Sequence, residues 1–402
     1  MEKNHLQRYA GKYETDNAAR IQGVRDVFKK TFGAGAEAIF SSPGRIEILG
    51  NHTDHNGGKV LTGAINRDTL AAVSPYSRVE IVSESYEDIW LDAGDTNLNA
   101  VERGRSSALV KGVIRGFLDR GLRVGGFRAA LTSNIFKGAG VSSSASYELL
   151  IAQILNALYN DGAVDAVTLA KIAQFAENEY FGKPCGMLDQ SAIALGGVTK
   201  IDFKSEPVFE TITGPLSGYD IIVTNTGGDH AGLTGEYASI REEMAAVAKE
   251  FGAFRLRDVD PEKVFQNAAA IGEKLGDRAV LRALHFFDEN ERVDAAARAY
   301  RAGDAKIFLD CVRASGESSY MLLQNCFVPG RTSQPVPIAL ALSVRLCPRG
   351  AFRVHGGGFA GTILGFVPSA DSARYLEAMA AAFGKENAFA ASVRPIGVTR
   401  IE

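Results

Sequence analysis

Clustered glycine is the feature of this sequence that most constrains how the chain folds. Glycine accounts for 43 of the 402 residues, about 11% where about 7% is usual, and no collagen-like period or low-complexity tract explains the excess. The glycines gather at a few points instead, chiefly at 50–58, 138–140 and 356–361. Because glycine has no Cβ, such clusters allow tight turns and let the backbone approach a ligand closely. The clusters are therefore the first indication of a binding site.

The remaining pattern predicts an α+β fold. Short extended pieces at 60–65, 69–73 and 79–82 favour an antiparallel or mixed sheet, and Pro43-Gly44 is expected to break an earlier extended run. Runs of strands with segregated helices argue against a doubly wound parallel sheet. Long helical patterns occupy the second half of the chain, at 236–251, 261–275, 278–302 and 305–323.

Two domains are predicted from the length and from one break in the pattern. The stretch 204–218 contains two prolines and two glycines between strand-like segments, which is typical of a boundary. We therefore expect an N-terminal domain of residues 1–205 and a C-terminal domain of residues 206–402.

The overall composition excludes several classes of protein. The formal charge is only −3, from 44 basic and 47 acidic residues, so the electrostatic footprint of a nucleic-acid-binding protein is missing. An apolar share of 46% is too high for a disordered chain. The N-terminal residues lack the apolar core of a signal peptide, and no apolar run approaches the ~20 residues that span a bilayer. We expect a soluble, cytoplasmic protein without nucleic-acid or membrane partners, and the sequence does not indicate its oligomeric state.

The segment from Lys137 to Ser146 has the composition of a phosphate-binding loop. Closely spaced glycines followed by Ser142, Ser143 and Ser144 at a predicted helix start leave several backbone N–H groups unobstructed by side chains. Such a nest, with the positive end of a helix behind it, attracts phosphate oxygens. A plain helix N-cap is the alternative, since serine is a favoured cap residue, although one serine suffices for a cap. The segment is not a Walker A loop, because no Gly-Lys-Ser/Thr follows the glycines.

The segment 42–58 collects groups that bind hydroxyl-rich molecules. Arg45, His52, Asp54 and His55 place one cation, one carboxylate and two imidazoles beside glycine-rich turns. An aspartate accepts hydrogen bonds from sugar hydroxyls, and histidine can accept or donate, so a cup for a polyhydroxylated ligand is predicted. Two alternatives stay open: a polar turn with a structural role, and a zinc site, for which His-x-Asp-His lacks the usual ligand spacing.

Two further segments are ambiguous by themselves. Glu177 and Asp189 bracket a glycine-containing turn, and Asp189 lies in an otherwise apolar stretch, where a carboxylate is either structurally paired or poised as a base. The glycines of 356–361, between two predicted strands, fit either a tight hairpin or a close approach of the backbone to a ligand.

Together these segments resemble the motifs of the GHMP small-molecule kinases, and specifically of the galactokinase family. Residues 43–54 are similar to the family's sugar signature, 138–146 to its phosphate loop, 185–190 to its catalytic-aspartate stretch and 356–361 to its third motif. The resemblance spans the chain from Ala38 to about residue 365. It implies a ribosomal-S5-like N-terminal domain and a ferredoxin-like C-terminal domain, with the active site in the cleft between them.

The resemblance also implies roles for individual residues. Asp189 would accept the proton of the sugar's C1 hydroxyl, and Arg45 would lie beside that hydroxyl and the transferring phosphate. ATP would be the phosphoryl donor, and Ser144 and Glu177 would be ligands of Mg²⁺. The implied sugar contacts are Asn51, His52, Asp54, His55, Gly186 and Tyr237, and the implied ATP phosphate contacts are Gly138, Ala139, Gly140, Ser142, Ser143 and Ser144.

Two positions depart from the family pattern, which has Glu in place of Asn51 and Tyr in place of His55. The family's Glu faces the sugar's C6 hydroxyl, and an Asn there would tolerate a carboxylate that a Glu would repel. The leading hypothesis is an ATP-dependent 1-kinase of galactose or a close relative. The first alternative is a kinase of galacturonate or another C6-modified sugar. The second is a non-catalytic sugar and ATP sensor, which the intact serine loop, Arg45 and Asp189 argue against.

Overall fold

The computed structural model describes residues 17–84, 86–135, 140–214, 216–228 and 232–402. The first half of the chain forms α1 (Asn17–Phe32), β1 (Ala38–Leu49), β2 (Lys59–Tyr76), β3 (Val79–Ser83), β4 (Ile89–Leu91), α2 (Ser106–Leu118), β5 (Gly126–Ser133), α3 (Ser143–Tyr159), α4 (Ala166–Phe175), α5 (Leu188–Leu195) and β6 (Val198–Asp202). The second half forms β7 (Val208–Ile212), β8 (Tyr219–Asn225), α6 (Thr234–Glu250), α7 (Pro261–Gln266), α8 (Ala268–Leu275), α9 (Asp277–Ala302), α10 (Ala305–Ser318), α11 (Pro335–Leu346), β9 (Ala351–His355), β10 (Thr362–Pro368), α12 (Ser372–Phe383), β11 (Ala388–Ala391) and β12 (Thr399–Arg400).

Eight strands of the described chain form a first, mixed sheet, as the short strands predicted. Its order is β12-β1-β2-β5-β3-β4, with β6 paired to β2 and β7 paired to β6. The pair β3 and β5 is parallel, and the other pairs are antiparallel.

The predicted breaks in this sheet were wrong. Pro43-Gly44 lies inside the continuous strand β1, and the pieces at 60–65 and 69–73 belong to the single strand β2. The ladder absorbs the irregularity through a register shift between Pro43 and Arg45, because a bulge tolerates a residue that cannot donate to the ladder.

Side chains of the first sheet alternate between two cores. Phe40 and Val73 pack with helices α2 to α5 on one face, while Ile39 and Ala72 pack with α1 on the other. This is the period-2 alternation of a strand with both faces covered.

The second sheet carries the order β11-β8-β10-β9 and is antiparallel throughout. Ile222 and Ile363 face α11 and α12, whereas Val223 and Leu364 face α9, α10 and the first sheet. One apolar core therefore joins the two sheets. Loops of the first sheet contact loops of the second where the two sheets meet.

The helices of the second half depart from prediction at two places. The pattern at 261–275 forms two helices, α7 and α8, separated at Asn267, and the pattern at 305–323 ends as an α-helix at Ser318 and continues as a π-helical segment, Ser319–Leu323. Across the described residues no helix combines the length and apolarity that crossing a membrane requires.

The two ends of the second half both return to the first sheet. β7 extends that sheet beyond residue 205, and β12 pairs with β1 at Phe40 and Ser41. The division into 1–205 and 206–402 stays a prediction.

Candidate active site

A cavity of about 250 Å³ opens where four segments meet. These are the bulged part of β1, the start of α3, the turn before α5 and the glycine loop between β9 and β10. Its lining includes Arg45, Ser142, Ser144, Lys183, Asp189 and the glycines Gly356, Gly357, Gly358 and Gly361. Positions more than 300 residues apart in the sequence thus share one concave surface.

An arginine and an aspartate form the charged centre of the cavity. The Arg45 Nε donates to Asp189 Oδ1 at 2.7 Å, and the Ser142 hydroxyl donates to the other carboxylate oxygen. Burial alone would raise the pKa of Asp189, but the charge and hydrogen bond of Arg45 and the hydrogen bond of Ser142 outweigh it, so the pKa is lowered. Asp189 is therefore an ionised acceptor at neutral pH.

The serine loop, residues 140–144 of the described chain, leads into α3 beside the Arg45–Asp189 pair. Ser142 adopts a left-handed conformation with φ +62°, which turns the chain so that Ser143 and Ser144 open the helix and line the cavity. The Arg45 guanidinium also donates to the Gly140 carbonyl. The loop thus presents a helix N-terminus to the cavity, next to a fixed positive charge.

A buried carboxylate lies on the far side of the serine loop. Glu177, 1% exposed, belongs to a π-helical segment, Ala176–Phe181, and accepts a hydrogen bond from the Ser144 hydroxyl at 3.0 Å. The Lys183 ammonium contacts the same carboxylate oxygen at 2.9 Å. Glu177 and Ser144 thus place two hard oxygen atoms, of the kind that bind metal ions, side by side at the edge of the cavity.

The polar turn after β1 (residues 50–58) contacts the glycine loop at Gly357 and the segment 185–190 at Gly186. A Cβ at Gly186 would lie 2.1 Å from Asp54 Oδ2, so only glycine lets the segment 185–190 approach that carboxylate. His52 Nε2 lies 2.9 Å from the carbonyl oxygen of Gly357, and the Tyr237 hydroxyl donates to the carbonyl of Gly358 at 3.1 Å. The polar turn, the glycine loop and α6 are therefore one connected wall.

Asn51 is completely enclosed at the base of this wall. Its amide donates to Glu47 Oε1 at 2.8 Å and to the Gly356 carbonyl at 2.6 Å, and its oxygen accepts from Asn325 at 2.7 Å. Glu47 in turn accepts from Arg353 at 3.0 Å. The Asn51 side chain therefore joins β1 to the glycine loop.

Helix α9 holds the polar turn from behind. The backbone N–H of Gly50 donates to Glu289 at 2.9 Å, His285 Nε2 contacts the Asn51 carbonyl at 2.9 Å, and Lys59 N–H donates to Asn290 at 2.6 Å. Both His285 and Glu289 are fully buried. The turn is thus fixed by a helix that lies more than 200 residues later.

Comparison with known proteins shows the family. The galactokinase galactose-binding signature matches residues 26–75, and the GHMP kinase N-terminal domain matches residues 108–197. The galactokinase of Clostridium tetani is 31% identical over 362 residues, which cover 87% of this chain and 89% of that protein. The chain belongs to the galactokinase family.

Solved structures agree with this assignment. Lactococcus lactis galactokinase complexed with galactose superposes with a TM-score of 0.83 at 25% identity, over 94% of this chain and 99% of that one. Methanococcus jannaschii mevalonate kinase, at 16% identity and a TM-score of 0.63 over 88% of this chain and 98% of that one, shares the fold. The predicted galactokinase-family membership, GHMP kinase fold and sugar-kinase phosphotransferase activity are confirmed.

The galactokinase-family fold brings together most of the residues singled out from the sequence. Arg45, Asp189 and the serines meet at the cavity, and the polar turn stands beside it. Gly138 and Ala139 of the phosphate loop lie outside the described residues. The role of each residue in the reaction stays a prediction.

Sequence reasoning missed several residues of this galactokinase-family site. Lys183 and His355 line the cavity, and Glu47, His285 and Glu289 support the polar turn. His285 and Glu289 lie one helical turn apart on α9, and this spacing, which places both on one face of the helix, was a usable signal. Lys183 lies in the turn between Glu177 and Asp189 and pairs with Glu177, whereas nothing local in the sequence marks Glu47 and His355, because their contacts join β1 to β9.

Proposed function

We propose that this protein transfers the γ-phosphoryl group of ATP to the anomeric hydroxyl of galactose. The observation that carries the proposal is the hydrogen-bonded set of Arg45, Asp189 and Ser142 in one cavity with the serine loop. An ionised carboxylate, a fixed cation and a helix N-terminus supply what a phosphoryl acceptor, a transferring phosphoryl group and a triphosphate tail require.

In the proposed reaction, Asp189 orients the anomeric hydroxyl and receives its proton. The bond between the γ-phosphorus and the bridging oxygen of ADP breaks as the bond to the sugar O1 forms, and Arg45 stabilises the negative charge on the phosphoryl oxygens. The hydrogen bonds to Asp189 hold both oxygens of its carboxylate at fixed positions, so little reorganisation precedes transfer.

The residues beside the serine loop fit a magnesium ion bound with the nucleotide. No group of three or more His, Cys, Asp or Glu side chains suited to a metal occurs among the described residues, and Mg²⁺ on a nucleotide needs only one or two protein oxygens beside phosphate and water. Ser144 and Glu177, already in contact at 3.0 Å, would hold it. When bound, the ion would neutralise charge on the phosphates.

We propose that the sugar binds against the wall formed by the polar turn, the glycine loop and α6. Asp54, His52 and Tyr237 belong to that wall, and Gly186 packs against Asp54. His55 lies behind His52, with ring centroids 5.8 Å apart. Hydroxyl-rich ligands suit such a set because carboxylate, imidazole and phenol groups together accept and donate.

The galacturonate alternative gains no support from the charges near the polar turn. Asn51 is enclosed and fully hydrogen-bonded, so its amide does not offer a donor to a C6 carboxylate. Burial, together with His52 and Arg241, lowers the pKa of His55 to about 3, so this imidazole is neutral at physiological pH. A carboxylate placed there would not find a protonated His55 to offset its desolvation, which favours galactose.

A sugar panel with purified protein and MgATP tests the function. We expect sugar-dependent ADP release with galactose, and a kcat/KM for galacturonate lower by about 100-fold or more, which corresponds to about 2.7 kcal/mol. The reverse preference would establish the uronate alternative. No turnover with galactose, galacturonate, N-acetylgalactosamine, arabinose or glucose would establish the sensor.

The role of Asp189 is tested by Asp189→Asn. We expect kcat to fall by about 10² to 10⁴-fold, the usual contribution of a positioned base, in a variant that remains folded at the assay temperature. Asp310→Asn is the matched control, because this carboxylate is exposed on α10. Activity of Asp189→Asn within threefold of wild type would contradict the assignment.

A further inference from the structure

Two polar side chains of the cavity have no role in the proposed reaction. His355 ends β9 and Thr362 begins β10, and the two residues are direct cross-strand partners on either side of the glycine loop. Each is 2% exposed and lines the cavity. His355 Nδ1 and Thr362 Oγ1 are both buried without a hydrogen-bond partner among the described residues, a costly state that a bound ligand would relieve.

The tautomer of His355 follows from its one hydrogen bond. The backbone N–H of Glu47 donates to His355 Nε2 at 2.9 Å, so Nε2 carries the lone pair and the proton of the neutral ring is on Nδ1. Burial, and then the charges of Arg45 and Arg353, hold the pKa of His355 well below its usual value. The ring is thus a neutral donor in a fixed orientation.

The two unpartnered atoms face the same small space at Gly140. A Cβ built on Gly140 would lie 3.1 Å from Thr362 Oγ1 and 3.3 Å from His355 Nδ1. Gly140 has no Cβ to cover the point that both atoms approach, so the two donors stay uncovered towards the cavity, where a ligand oxygen can reach them. The carbonyl of Gly140 is also held by Arg45, the partner of Asp189.

We infer that His355 Nδ1–H and the Thr362 hydroxyl form a neutral donor pair that binds a nonbridging oxygen of the γ-phosphoryl group during transfer. The inference rests on the proposed function. The position favours the phosphoryl group over the sugar, because both donors lie beside Gly140 of the serine loop, whose carbonyl accepts a hydrogen bond from Arg45. Preorganised neutral donors stabilise developing charge without reorganising, as in an oxyanion hole.

The chain offers two matched pairs of variants. His355→Asn keeps a donor near the position of Nδ1 and loses the acceptor for the Glu47 N–H, whereas His355→Gln keeps an acceptor near the position of Nε2 and loses the Nδ1 donor. Thr362→Val removes the hydroxyl at nearly constant shape, and Thr362→Ser retains it. A purely structural role for His355 would make the Asn variant the worse of the two.

We expect His355→Gln and Thr362→Val each to lower kcat by on the order of 10²-fold, with KM for both substrates within threefold of wild type. His355→Asn and Thr362→Ser should retain at least a third of the wild-type kcat. The opposite order within the His355 pair, or equal activity of Thr362→Val and Thr362→Ser, would overturn the inference. If both His355 variants unfold, as judged by melting temperature, the Thr362 pair decides.

A binding measurement separates this inference from the proposed function. Calorimetry with MgADP alone should give the same affinity for wild type and Thr362→Val, whereas MgADP with fluoroaluminate and galactose, which mimics the transferring phosphoryl group, should bind at least tenfold more weakly to the variant. Equal loss for both ligands, or for neither, would overturn the assignment to the γ-phosphoryl oxygen. Absence of turnover in the wild-type protein would defeat the proposed function instead.

Discussion

Single atoms decide how close the two halves of the proposed sugar site come. Gly186 contacts Asp54 so closely that any Cβ would overlap the carboxylate, and burial raises the pKa of Asp54 against the opposing effect of His52. The Asp54 carboxylate therefore cannot accommodate an atom at the position of a Gly186 Cβ without moving.

Gly186→Ala should therefore impair sugar binding while leaving the fold intact. Gly186 does not have a positive φ, so alanine adds no backbone strain, and the Cβ acts by displacing Asp54. We expect KM for galactose to rise by at least tenfold, about 1.4 kcal/mol, with KM for ATP and the melting temperature nearly unchanged. Gly94→Ala is the control, since a Cβ there meets nothing within 4 Å. An unchanged KM for galactose would show that Asp54 does not contact the sugar.

At the scale of elements, α9 sets the geometry of the polar turn after β1. Burial by itself would raise the pKa of Glu289, but His285, Arg353 and Arg292 and a hydrogen bond from Ser315 lower it to about 2. An unfolded glutamate titrates near pH 4.3. The resulting stabilisation is therefore present above about pH 4.3 and is lost as the pH falls from there towards 2.

Glu289→Gln should lower the free energy of unfolding at pH 7 by about 3 kcal/mol, the value that corresponds to a pKa shift of about two units in a buried group. The difference from wild type should shrink when urea unfolding is repeated at pH 3. Glu291→Gln on the same helix is the control, because that side chain is exposed. A difference that does not depend on pH would mean that the charge of Glu289 is not what holds the turn.

At the scale of the whole molecule, Arg394, near the C-terminus, connects the last residues of the chain to the strands of the first sheet. Arg394, completely buried, donates to Ser41 at 2.7 Å and to Asp68 at 3.5 Å, and its backbone N–H donates to Ala64 at 2.8 Å. Asp68 also pairs with Arg20 of α1 at 2.7 Å. One buried carboxylate thus ties the first helix, the central strands and the last ten residues together.

Arg394→Met should destabilise the protein by about 1 to 3 kcal/mol, because the buried Ser41 and Asp68 each lose a hydrogen-bond donor while Arg20 still pairs with Asp68. The folded fraction should keep its kcat, since Arg394 does not line the cavity. Arg400→Met, at an exposed position near the same terminus, should melt at nearly the wild-type temperature. If both variants melt at the wild-type temperature, the contacts of Arg394 with the first sheet do not stabilise the protein.

The sequence by itself determined the class of protein and the chemistry available to it. Glycine clusters, serines at a helix start and isolated carboxylates are local features, so the order of residues singles out the serine loop, Arg45 and Asp189 as candidates whose roles stay predictions. Local features also misled: a proline and a glycine inside β1 indicated a break, and only pairing with β2 shows that a bulge absorbs them.

Tertiary structure decided which of these groups meet and what surrounds them. The enclosure of Asn51, the support from His285 and Glu289, and the pairing of His355 with Thr362 depend on contacts between residues up to 308 positions apart. Hydrogen-bond partners, burial and charge fix the protonation and orientation of a side chain, and all three depend on neighbours that are distant in sequence. For that reason Asn51, which the sequence alone suggested as a specificity residue, is in the folded protein a buried link between a strand and a loop.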